Sequence, residues 1–318
     1  MTSPKSIFDD PRYAMLSAMD EWWKPLLEPD GLLLRDKVLA ADIDPDALLS
    51  ALRSCRLRRV QRAVYLPRGV EPTPLAMARA AVLSSGVSDA VASHLTAARV
   101  HGIARPPGRH PEHVTVERGD RRRDRRDLAF HGRTLRLGDV DVLDGVPLTR
   151  VARTLVDLAG TLERLHVVWA IDDALRRGLC RREQLEAACQ RYSSRAGADA
   201  TARLAEADGV AESILETAGR LALIDRGVPL PVPQYCVLNT DGSLIARLDG
   251  GYPRRMLGLE FDGREMHGRP EAAFHDRRRQ NRLEQLGWNV LRFTWWDVVR
   301  DPDAFANDVR RALARKSA

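Results

Sequence analysis

The sequence predicts an α/β (α+β) protein of several domains, because three stretches of the chain differ in pattern. Residues 1–70 combine short amphipathic segments with a basic hairpin, residues 71–205 mix helices with strands, and residues 206–318 follow the order α-β-β-β-α-β-α. The length of 318 residues gives room for two or three domains. We therefore predict domains at 1–70, 71–205 and 206–318.

The first domain begins with three predicted helices. Apolar residues in Tyr13–Lys24 and Leu32–Ala41 have helical spacing, and Asp44-Pro45 has the form of an N-cap followed by the first position of a third helix. The segment Leu57–Leu66 then has the pattern of a β-hairpin. Helices followed by a basic hairpin are typical of a winged helix-turn-helix domain.

Arginine supplies nearly all of the positive charge. Only four of the 50 basic residues are lysines, and the formal net charge is +6. The excess fits either a surface that binds nucleic-acid phosphates or a GC-rich genome that favours arginine codons.

Residues 47–69 contain six arginines and no acidic residue. A solvated basic face is one explanation, but the concentration on the third helix and the hairpin favours DNA as the partner. The predicted DNA contacts are Arg53, Arg56, Arg58, Arg59 and Arg62.

The middle domain is predicted to contain two strands among five helices. The strands are His113–Glu117 and Leu128–Leu135, and the helices are Pro72–Leu83, Ala90–Val100, Val151–Ala159, Leu165–Arg177 and Arg182–Arg191. The charged run Arg118–Asp127 is interpreted as a solvated loop, with a phosphate contact as the alternative.

The histidines of this region are scattered and lack the spacing of a metal motif such as H-E-x-x-H. We expect ordinary core or surface histidines rather than metal ligands at His94, His101, His110, His113 and His131.

The third domain has the clearest pattern. A helix over Val210–Asp225 precedes two strands joined through Asp241-Gly242, a dipeptide that favours a tight hairpin. The predicted strands are Gln234–Asn239, Ser243–Asp249, Met256–Asp262 and Trp288–Trp295. The two further predicted helices are His275–Leu286 and Pro302–Ala314.

Acidic residues gather around these strands. Asp249 closes the second strand, Glu260 lies near the end of the third, and Asp262 shares a face with Glu260. Three carboxylates on one patch predict a Mg²⁺ or Mn²⁺ site, and such a cation suits phosphodiester hydrolysis. Glu212 and Glu216 share a helix face, so one of them can reach the same site. The alternative is that the aspartates flank turns and Glu260 pairs with an arginine.

The ordered set Asp249, Glu260-Phe-Asp262-Gly263, His267, Asp276–Leu283 and Gly287–Thr294 resembles the PD-(D/E)XK nuclease superfamily, and within it the domain related to very-short-patch repair endonucleases. The resemblance implies that Asp249 and Glu260 bind the metal ion and that Glu212 is the accessory acidic residue. It further implies that His267 assists water and that Arg277 or Arg279 clamps phosphate.

The sequence departs from the superfamily pattern in two places, one of which is Gly250-Gly251 after Asp249, where larger strand residues are expected. Asp262 occupies the place of the signature lysine, and no lysine lies between Lys37 and Lys316. Arginine is not a proton acceptor at neutral pH, so His267 or a metal-bound hydroxide would have to take the proton.

The region before the third domain is similar to actinobacterial proteins with an AbiEi-type antitoxin region. The likeness rests on Val91–Gly102, on Pro147–Ala159 and on the winged segment ending at Val64-Tyr65. Two functions follow: a metal-dependent DNA endonuclease, or a catalytically inactive transcriptional regulator or antitoxin that binds DNA. The expected partners are DNA and a cognate toxin or repair partner; a protein-interaction scaffold is a third possibility.

The cysteine pattern and the apolar segments indicate the cellular compartment of the protein. Cys55, Cys180, Cys189 and Cys236 form no C-x-x-C pair, and we expect reduced thiols. No apolar stretch has the length of a membrane span, and residues 1–10 lack a secretory pattern, so we expect a cytoplasmic protein without membrane contact.

Overall fold

A computed structural model describes residues 21–117, 122–192, 195–262 and 270–315, with the backbone alone for 270–275. It is a mixed α/β protein, as predicted. The chain forms two compact units: unit 1 comprises residues up to 100 together with 108–150, and unit 2 comprises residues 101–107 and 151–318. The three-domain division made from the sequence remains a prediction.

The first part of unit 1 contains the expected helices and hairpin. Helices α1 (Arg35–Ala40) and α2 (Pro45–Arg53) accompany a three-stranded sheet of order β1 (Leu33–Leu34), β3 (Val64–Pro67), β2 (Leu57–Gln61). The Asp44 side chain accepts the N–H of Asp46 at 2.9 Å, which confirms the predicted N-cap.

Of the two other predicted helices of this region, one is not tested and one is shorter than predicted. Tyr13–Lys24 lies almost wholly outside the described residues. Leu32–Ala41 is a helix only from Arg35, because Leu33 and Leu34 pair with the hairpin strand β3. Trp23 and Leu57 are buried in the core beneath these elements.

The second part of unit 1 is a five-stranded sheet of order β6-β5-β4-β8-β7. Its strands are β4 (Val91–Ala92), β5 (Glu112–Val116), β6 (Leu128–Gly132), β7 (Val140–Leu143) and β8 (Val146–Thr149), and its helices are α3 (Pro74–Ser85) and α4 (His94–His101). The sequence did not predict β4 or the hairpin β7–β8. Strand β7 is mostly exposed and carries little apolar pattern.

Unit 2 begins with four helices: α5 (Val151–Ala159), α6 (Arg164–Arg176), α7 (Arg182–Arg191) and α8 (Arg195–Glu206). The first and third have the bounds that the sequence predicted, whereas α8 was not predicted. A mixed sheet follows, of order β12-β11-β10-β9. Its elements in chain order are α9 (Ile214–Asp225), β9 (Val232–Leu238), β10 (Leu244–Tyr252), β11 (Leu257–Asp262), α10 (Pro270–Gln285), β12 (Asn289–Thr294) and α11 (Pro302–Ala314).

The sheet of unit 2 is covered on both faces. Helices α9 and α11 pack on the face that carries Leu257, Leu259 and Phe293. Helix α10 packs through Leu283 on the other face, against Ala246 and Leu248. Strands β10 and β11 are antiparallel, and β11 is parallel to β12. The element order α-β-β-β-α-β-α is as predicted.

Strand β10 is longer than the sequence predicted. It continues past Asp249 to Tyr252, because Gly250 and Gly251 pair with Leu259 and Gly258 of β11. A Cβ atom at Gly250 would lie 2.8 Å from Pro231, and one at Gly251 would lie 2.6 Å from Tyr235. Glycine therefore permits this close packing, and Asp249 lies inside the strand rather than at its end.

The four cysteines are free thiols, two buried (Cys180 and Cys189) and two exposed. Burial raises the pKa of Cys180 to about 11. None of the described helices combines the length and the apolar character needed to cross a membrane.

Candidate active site

Asp249 and Glu260 lie on adjacent strands but on different faces of the sheet. Asp249 shares a pocket with residues of α9, whereas Glu260 contacts Arg279 of α10. The pairing of β10 with β11 ends at Gly250 and Leu259, so Asp249 is not held opposite Glu260. Leu248 packs toward α10 and Leu259 toward α9, and Asp249 and Glu260 take the faces opposite to these chain neighbours. The expected single patch of carboxylates is therefore not formed.

The pocket beside Asp249 has a volume of about 110 Å³, enough for several water molecules. Asp249 Oδ2 accepts the backbone N–H of Phe261 at 2.7 Å, which fixes the carboxylate against β11. The pocket is lined by Asp208, Ala211, Glu216, Arg220, Leu223, Leu230, Pro231, Pro233, Asp249 and Phe261.

The electrostatics of the pocket favour protonation of Asp249. Burial raises the pKa of Asp249 to about 6; the hydrogen bond from Phe261 opposes the rise, and the negative charges of Glu216 and Glu260 reinforce it. Arg247 lowers the pKa only weakly, because its guanidinium binds another carboxylate, that of Glu212.

The acidic residue of α9 at this pocket is Glu216, not Glu212. The helix begins four residues later than predicted, with Ser213 as N-cap accepting the N–H of Glu216 at 3.1 Å. Glu212 precedes the helix, is exposed, and accepts two hydrogen bonds of 2.8 Å from Arg247. Glu216 Oε2 accepts the amide N–H of Gln234 at 2.8 Å.

Arg220 is the cation in the pocket wall, and two other carboxylates already pair with it. Its guanidinium binds Asp172 and Asp208, and its Nε donates to the carbonyl of Glu206 at 3.0 Å. Asp172 is fully buried on α6 and also accepts the hydroxyl of Thr217 at 2.8 Å. This network joins α6 to α9 and leaves the charge of Asp249 uncompensated by Arg220.

Glu260 is compensated by two arginines. Arg279 Nη1 lies 2.8 Å from Oε1 and Arg292 Nε lies 3.0 Å from Oε2, while only 8% of Glu260 is exposed. Asp276 pairs with the same two guanidiniums at 2.8 and 3.1 Å. The alternative interpretation of Glu260, pairing with an arginine, is confirmed. Arg279 belongs to this internal cluster, whereas Arg277 is exposed.

Asp262, another predicted site residue, does not line the described pocket. Asp262 is exposed at the end of β11, and its negative charge raises the pKa of Arg292 together with Asp276 and Glu260, against the lowering effect of burial. His267 lies outside the described residues. The roles assigned to both remain predictions.

One group in the described part of the chain has three side chains placed to bind a metal ion. It consists of His94, His113 and His131 in unit 1, with the three ligand atoms within 4.8 Å of one another. The sequence did not predict this cluster, because its members come from three separate segments with no motif spacing.

The predicted DNA-contacting arginines differ in their surroundings. Arg53, Arg59 and Arg62 are exposed on α2 and the hairpin. Arg58 donates to the carbonyl of Val70 at 2.9 Å, and Arg56 lies 5.7 Å over the ring of Trp23.

Comparisons with known proteins support the two regions that the sequence suggested. Residues 232–313 match a restriction-endonuclease-like family model, REase_MTES_1575, and residues 90–207 match the AbiEi antitoxin C-terminal domain. The suspected architecture, an endonuclease-like domain preceded by an AbiEi-type region, is confirmed. The two matches indicate a DNA-related function.

Two curated relatives come from Mycobacterium tuberculosis: "Uncharacterized protein MT2308" from strain CDC 1551 / Oshkosh and "Uncharacterized protein Rv2248" from strain ATCC 25618 / H37Rv. Each is 35% identical to this chain over 168 residues, which are 52% of this chain and 62% of the relative. The match thus spans less than two thirds of the length of these relatives. The crystal structure of the RV2827C protein from Mycobacterium tuberculosis has a TM-score of 0.41 and 14% identity, over 71% of this chain and 87% of that chain.

Proposed function

We propose that this chain is a DNA-binding protein whose C-terminal domain hydrolyses phosphodiester bonds with a divalent cation held at the Asp249 pocket. The observation that carries the proposal is the acidic pocket itself. Burial and the charge of Glu216 raise the pKa of Asp249 to about 6, and the nearby Arg220 is committed to other carboxylates. Perturbed carboxylates in a concave site are typical of catalytic and cation-binding positions.

The pocket residues fit Mg²⁺ or Mn²⁺. Mg²⁺ commonly binds one or two protein carboxylates and keeps several waters, and here Asp249 and Glu216 supply two carboxylates beside room for water. Glu260 fits less well as a ligand, because Arg279 and Arg292 both form ion pairs with it and compensate its charge. The proposed ligand pair is therefore Asp249 with Glu216, instead of Asp249 with Glu260 and Asp262.

A bound divalent cation would supply Lewis-acid stabilisation of the charge that develops on the phosphate. The chain itself orients the carboxylates: the N–H of Phe261 holds Asp249 Oδ2, and the Gln234 amide holds Glu216 Oε2. Asp249 must be ionised to act, so cleavage should rise with pH through the pKa of Asp249.

DNA would approach through exposed arginines. Arg53, Arg59 and Arg62 present guanidinium groups on α2 and the β2–β3 hairpin of unit 1, and Arg277 presents another on α10. Phosphate contacts of this kind supply affinity without reading sequence.

A second candidate function is a non-catalytic DNA-binding regulator or antitoxin with a cognate toxin as partner. Two observations favour it: Glu260 is neutralised by two arginines, and Asp262 stands where the superfamily has lysine. The match to the AbiEi antitoxin C-terminal domain supports the same function. The two candidates share DNA binding and differ in cleavage.

Supercoiled plasmid and a labelled duplex, each incubated with and without Mg²⁺ or Mn²⁺, separate the candidates. We expect metal-dependent nicking by the full chain and a loss of about 100-fold or more in Asp249→Asn and Glu216→Gln, a scale typical of lost transition-state contacts. Asp241→Asn in the exposed β9–β10 turn is the matched control and should cleave normally. Duplex binding without cleavage under any condition would support the regulator instead, and cleavage retained by Asp249→Asn would contradict the proposed site.

A further inference from the structure

The histidine cluster of unit 1 takes one residue from the start of α4 and two from adjacent strands of the five-stranded sheet. His94 follows the end of β4, His113 lies on β5 and His131 lies on β6, the strand parallel to β5. His94 and His113 are buried and His131 is half-buried. The cluster therefore offers three ligands of one chemical type, all imidazoles. Of the three rings, that of His131 is the one partly exposed to solvent.

The three rings are already in contact. The centroids of His94 and His131 lie 3.6 Å apart at an interplanar angle of 16°, and those of His113 and His131 lie 5.1 Å apart at 9°. His113 Nδ1 and His131 Nε2 are 2.9 Å apart and share a hydrogen bond. One of these two nitrogens therefore carries a proton and the other accepts it.

Hydroxyl groups orient the cluster from outside. Ser93 Oγ lies 2.9 Å from Nδ1 of His94 and accepts the hydroxyl of Thr115 at 2.9 Å. The backbone N–H of His113 donates to Thr96 Oγ1 at 2.7 Å, which ties β5 to α4. Metal-ligating histidines almost always have a partner such as Ser93 on the second ring nitrogen, which fixes the tautomer and the ring orientation.

The backbone at His94 is also unusual. His94 has a φ of +49°, a left-handed conformation that a residue with a side chain adopts at an energetic cost. The backbone N–H of Ser93 donates to the carbonyl of His113 at 3.1 Å, which ties this turn to β5. The fold thus holds a strained residue so that its imidazole lies against the other two.

Burial favours the neutral form of His113 and His131, and a neutral imidazole is the form that binds metals. Burial lowers the pKa of His113, opposed by Glu112 and Asp124 and reinforced by His110. Burial also lowers the pKa of His131 to about 4, reinforced by His113 and Arg133 and opposed by Asp124. A neutral imidazole has one lone pair in the ring plane for an ion.

We propose that His94, His113 and His131 form a binding site for a borderline-soft divalent transition-metal ion, with Zn²⁺ as the ion that it takes first. Imidazole nitrogen suits Zn²⁺, and three histidines with one open position are a known zinc coordination set. Mg²⁺ prefers oxygen ligands, so this site and the Asp249 pocket select different ions.

Binding requires two local changes that the site allows. The ligating nitrogens must converge to about 2.0–2.1 Å from the ion, so the stacked rings turn about χ2, a torsion with a broad minimum. The proton shared by His113 and His131 moves to the other nitrogen of the ring that carried it, because a ligating nitrogen bears no proton. The net charge of the two rings does not change.

The test measures Zn²⁺ affinity of the chelator-treated full chain by competition with a chromophoric chelator, in the presence of excess Mg²⁺. We expect a single tight site per chain that Mg²⁺ does not displace. His131→Gln and His94→Asn should each weaken it by about 100-fold or more, since even the loss of an outer-shell partner costs 10 to about 100-fold. Asparagine tolerates the left-handed backbone of position 94.

His166→Gln on α6 of unit 2 is the matched control and should bind Zn²⁺ normally. Circular dichroism checks that each variant is folded, and the visible absorption of Co²⁺ bound to the wild-type chain reports nitrogen ligation without any substitution. Absence of tight Zn²⁺ binding, equal affinity in the cluster variants, or an equal loss in the control would each overturn the proposal. Any of these results would identify the cluster as a stacked, hydrogen-bonded part of the core.

Discussion

Asp249 is half-buried and Glu260 is buried, and the two carboxylates lie on adjacent strands of one sheet. Their electrostatic surroundings are opposite. Glu260 faces α10 and receives Arg279 and Arg292, which compensate its charge. Asp249 faces α9 and has a single hydrogen bond from Phe261 with acidic neighbours around it. Burial of a carboxylate is costly unless it is paired with a positive charge. Of the two carboxylates, Asp249 is therefore the one whose charge is not compensated.

The difference shows what burial alone does not reveal about a carboxylate. A buried acid with its own arginines contributes to the fold, and a buried acid without them is available to a proton, a cation or a substrate. The ion-pair cluster of Glu260 and the pocket of Asp249 therefore call for different experiments.

The largest expected effect on stability comes from removing the charge of Glu260, the compensated carboxylate. Glu260→Gln leaves Arg279 and Arg292 with Asp276 as their shared carboxylate. We expect a loss of about 3 kcal/mol in the free energy of unfolding, at the lower end for buried pairs because both guanidiniums are about one third exposed. Chemical denaturation measures it, and Glu284→Gln at an exposed position of α10 is the control. A change below about 1 kcal/mol would mean that the cluster is not a structural ion pair.

Removing the charge of Asp249, the uncompensated carboxylate, should change the free energy of unfolding in the opposite direction. Asp249→Asn removes a buried charge while keeping an oxygen for the N–H of Phe261, and we expect stabilisation by about 1–2 kcal/mol at pH 7.5. The folded pKa of about 6 lies above the ordinary value of 3.8, so the folded state binds the proton more tightly. The penalty is absent below about pH 4, grows as the pH rises through about 6, and is constant above it.

Thermal unfolding of wild type and Asp249→Asn at several pH values measures this difference. The two midpoints should coincide below about pH 4, separate between about pH 4 and pH 6, and differ by a constant amount above about pH 6. Asp241→Asn, at an exposed turn where hydrogen bonds from Ser243 lower the pKa of the carboxyl, should show no such stabilisation. A destabilised Asp249→Asn at pH 7.5 would mean that the ionised carboxylate is compensated after all.

A smaller effect is expected from the contact that fixes Phe261. A Cβ atom at Gly219 of α9 would lie 2.5 Å from the ring of Phe261, whose backbone N–H holds Asp249. Gly219→Ala should therefore cost about 1 kcal/mol, since overpacking is partly offset by the better helix propensity of alanine. Denaturant titration measures the loss, and an unchanged or higher stability would show that the ring moves freely.

The smallest effects are expected at the exposed residues Arg59 and Arg62, for which the described part of the chain shows no hydrogen bond or ion pair that would be lost. Arg59→Gln and Arg62→Gln should each weaken duplex binding and reduce the slope of log affinity against log salt by about one unit per lost phosphate contact. Arg195→Gln, at an exposed position of unit 2 outside the predicted patch, is the matched control. An unchanged salt slope in both hairpin variants would move the DNA-binding surface elsewhere.

Local signals in the sequence predicted the elements that depend on local chemistry. The Asp44-Pro45 start of α2 and the bounds of α5, α7 and α11 follow from caps, proline and apolar spacing that a short window contains. The order of elements in the C-terminal sheet was predicted for the same reason. These features need no knowledge of what the segment packs against.

Features that depend on distant partners were not predictable in this way. Leu33 and Leu34 form a strand only because β3 lies beside them. The continuation of β10 through Gly250 and Gly251 depends on Pro231 and Tyr235. Tertiary packing, which residue spacing does not encode, places Asp249 beside Glu216. It also brings His94 together with His113 and His131.

The most direct test of the contrast between the two carboxylates is an NMR titration of the chain labelled with ¹³C at the aspartate carboxyl carbons, with Asp249→Asn to assign the signal. We predict that Asp249 titrates near pH 6 and that Mg²⁺ lowers this midpoint, because a cation in the pocket favours the ionised form. A midpoint at the ordinary aspartate value near 4, unaffected by Mg²⁺, would contradict the claim that Asp249 is an uncompensated carboxylate in a cation-binding pocket.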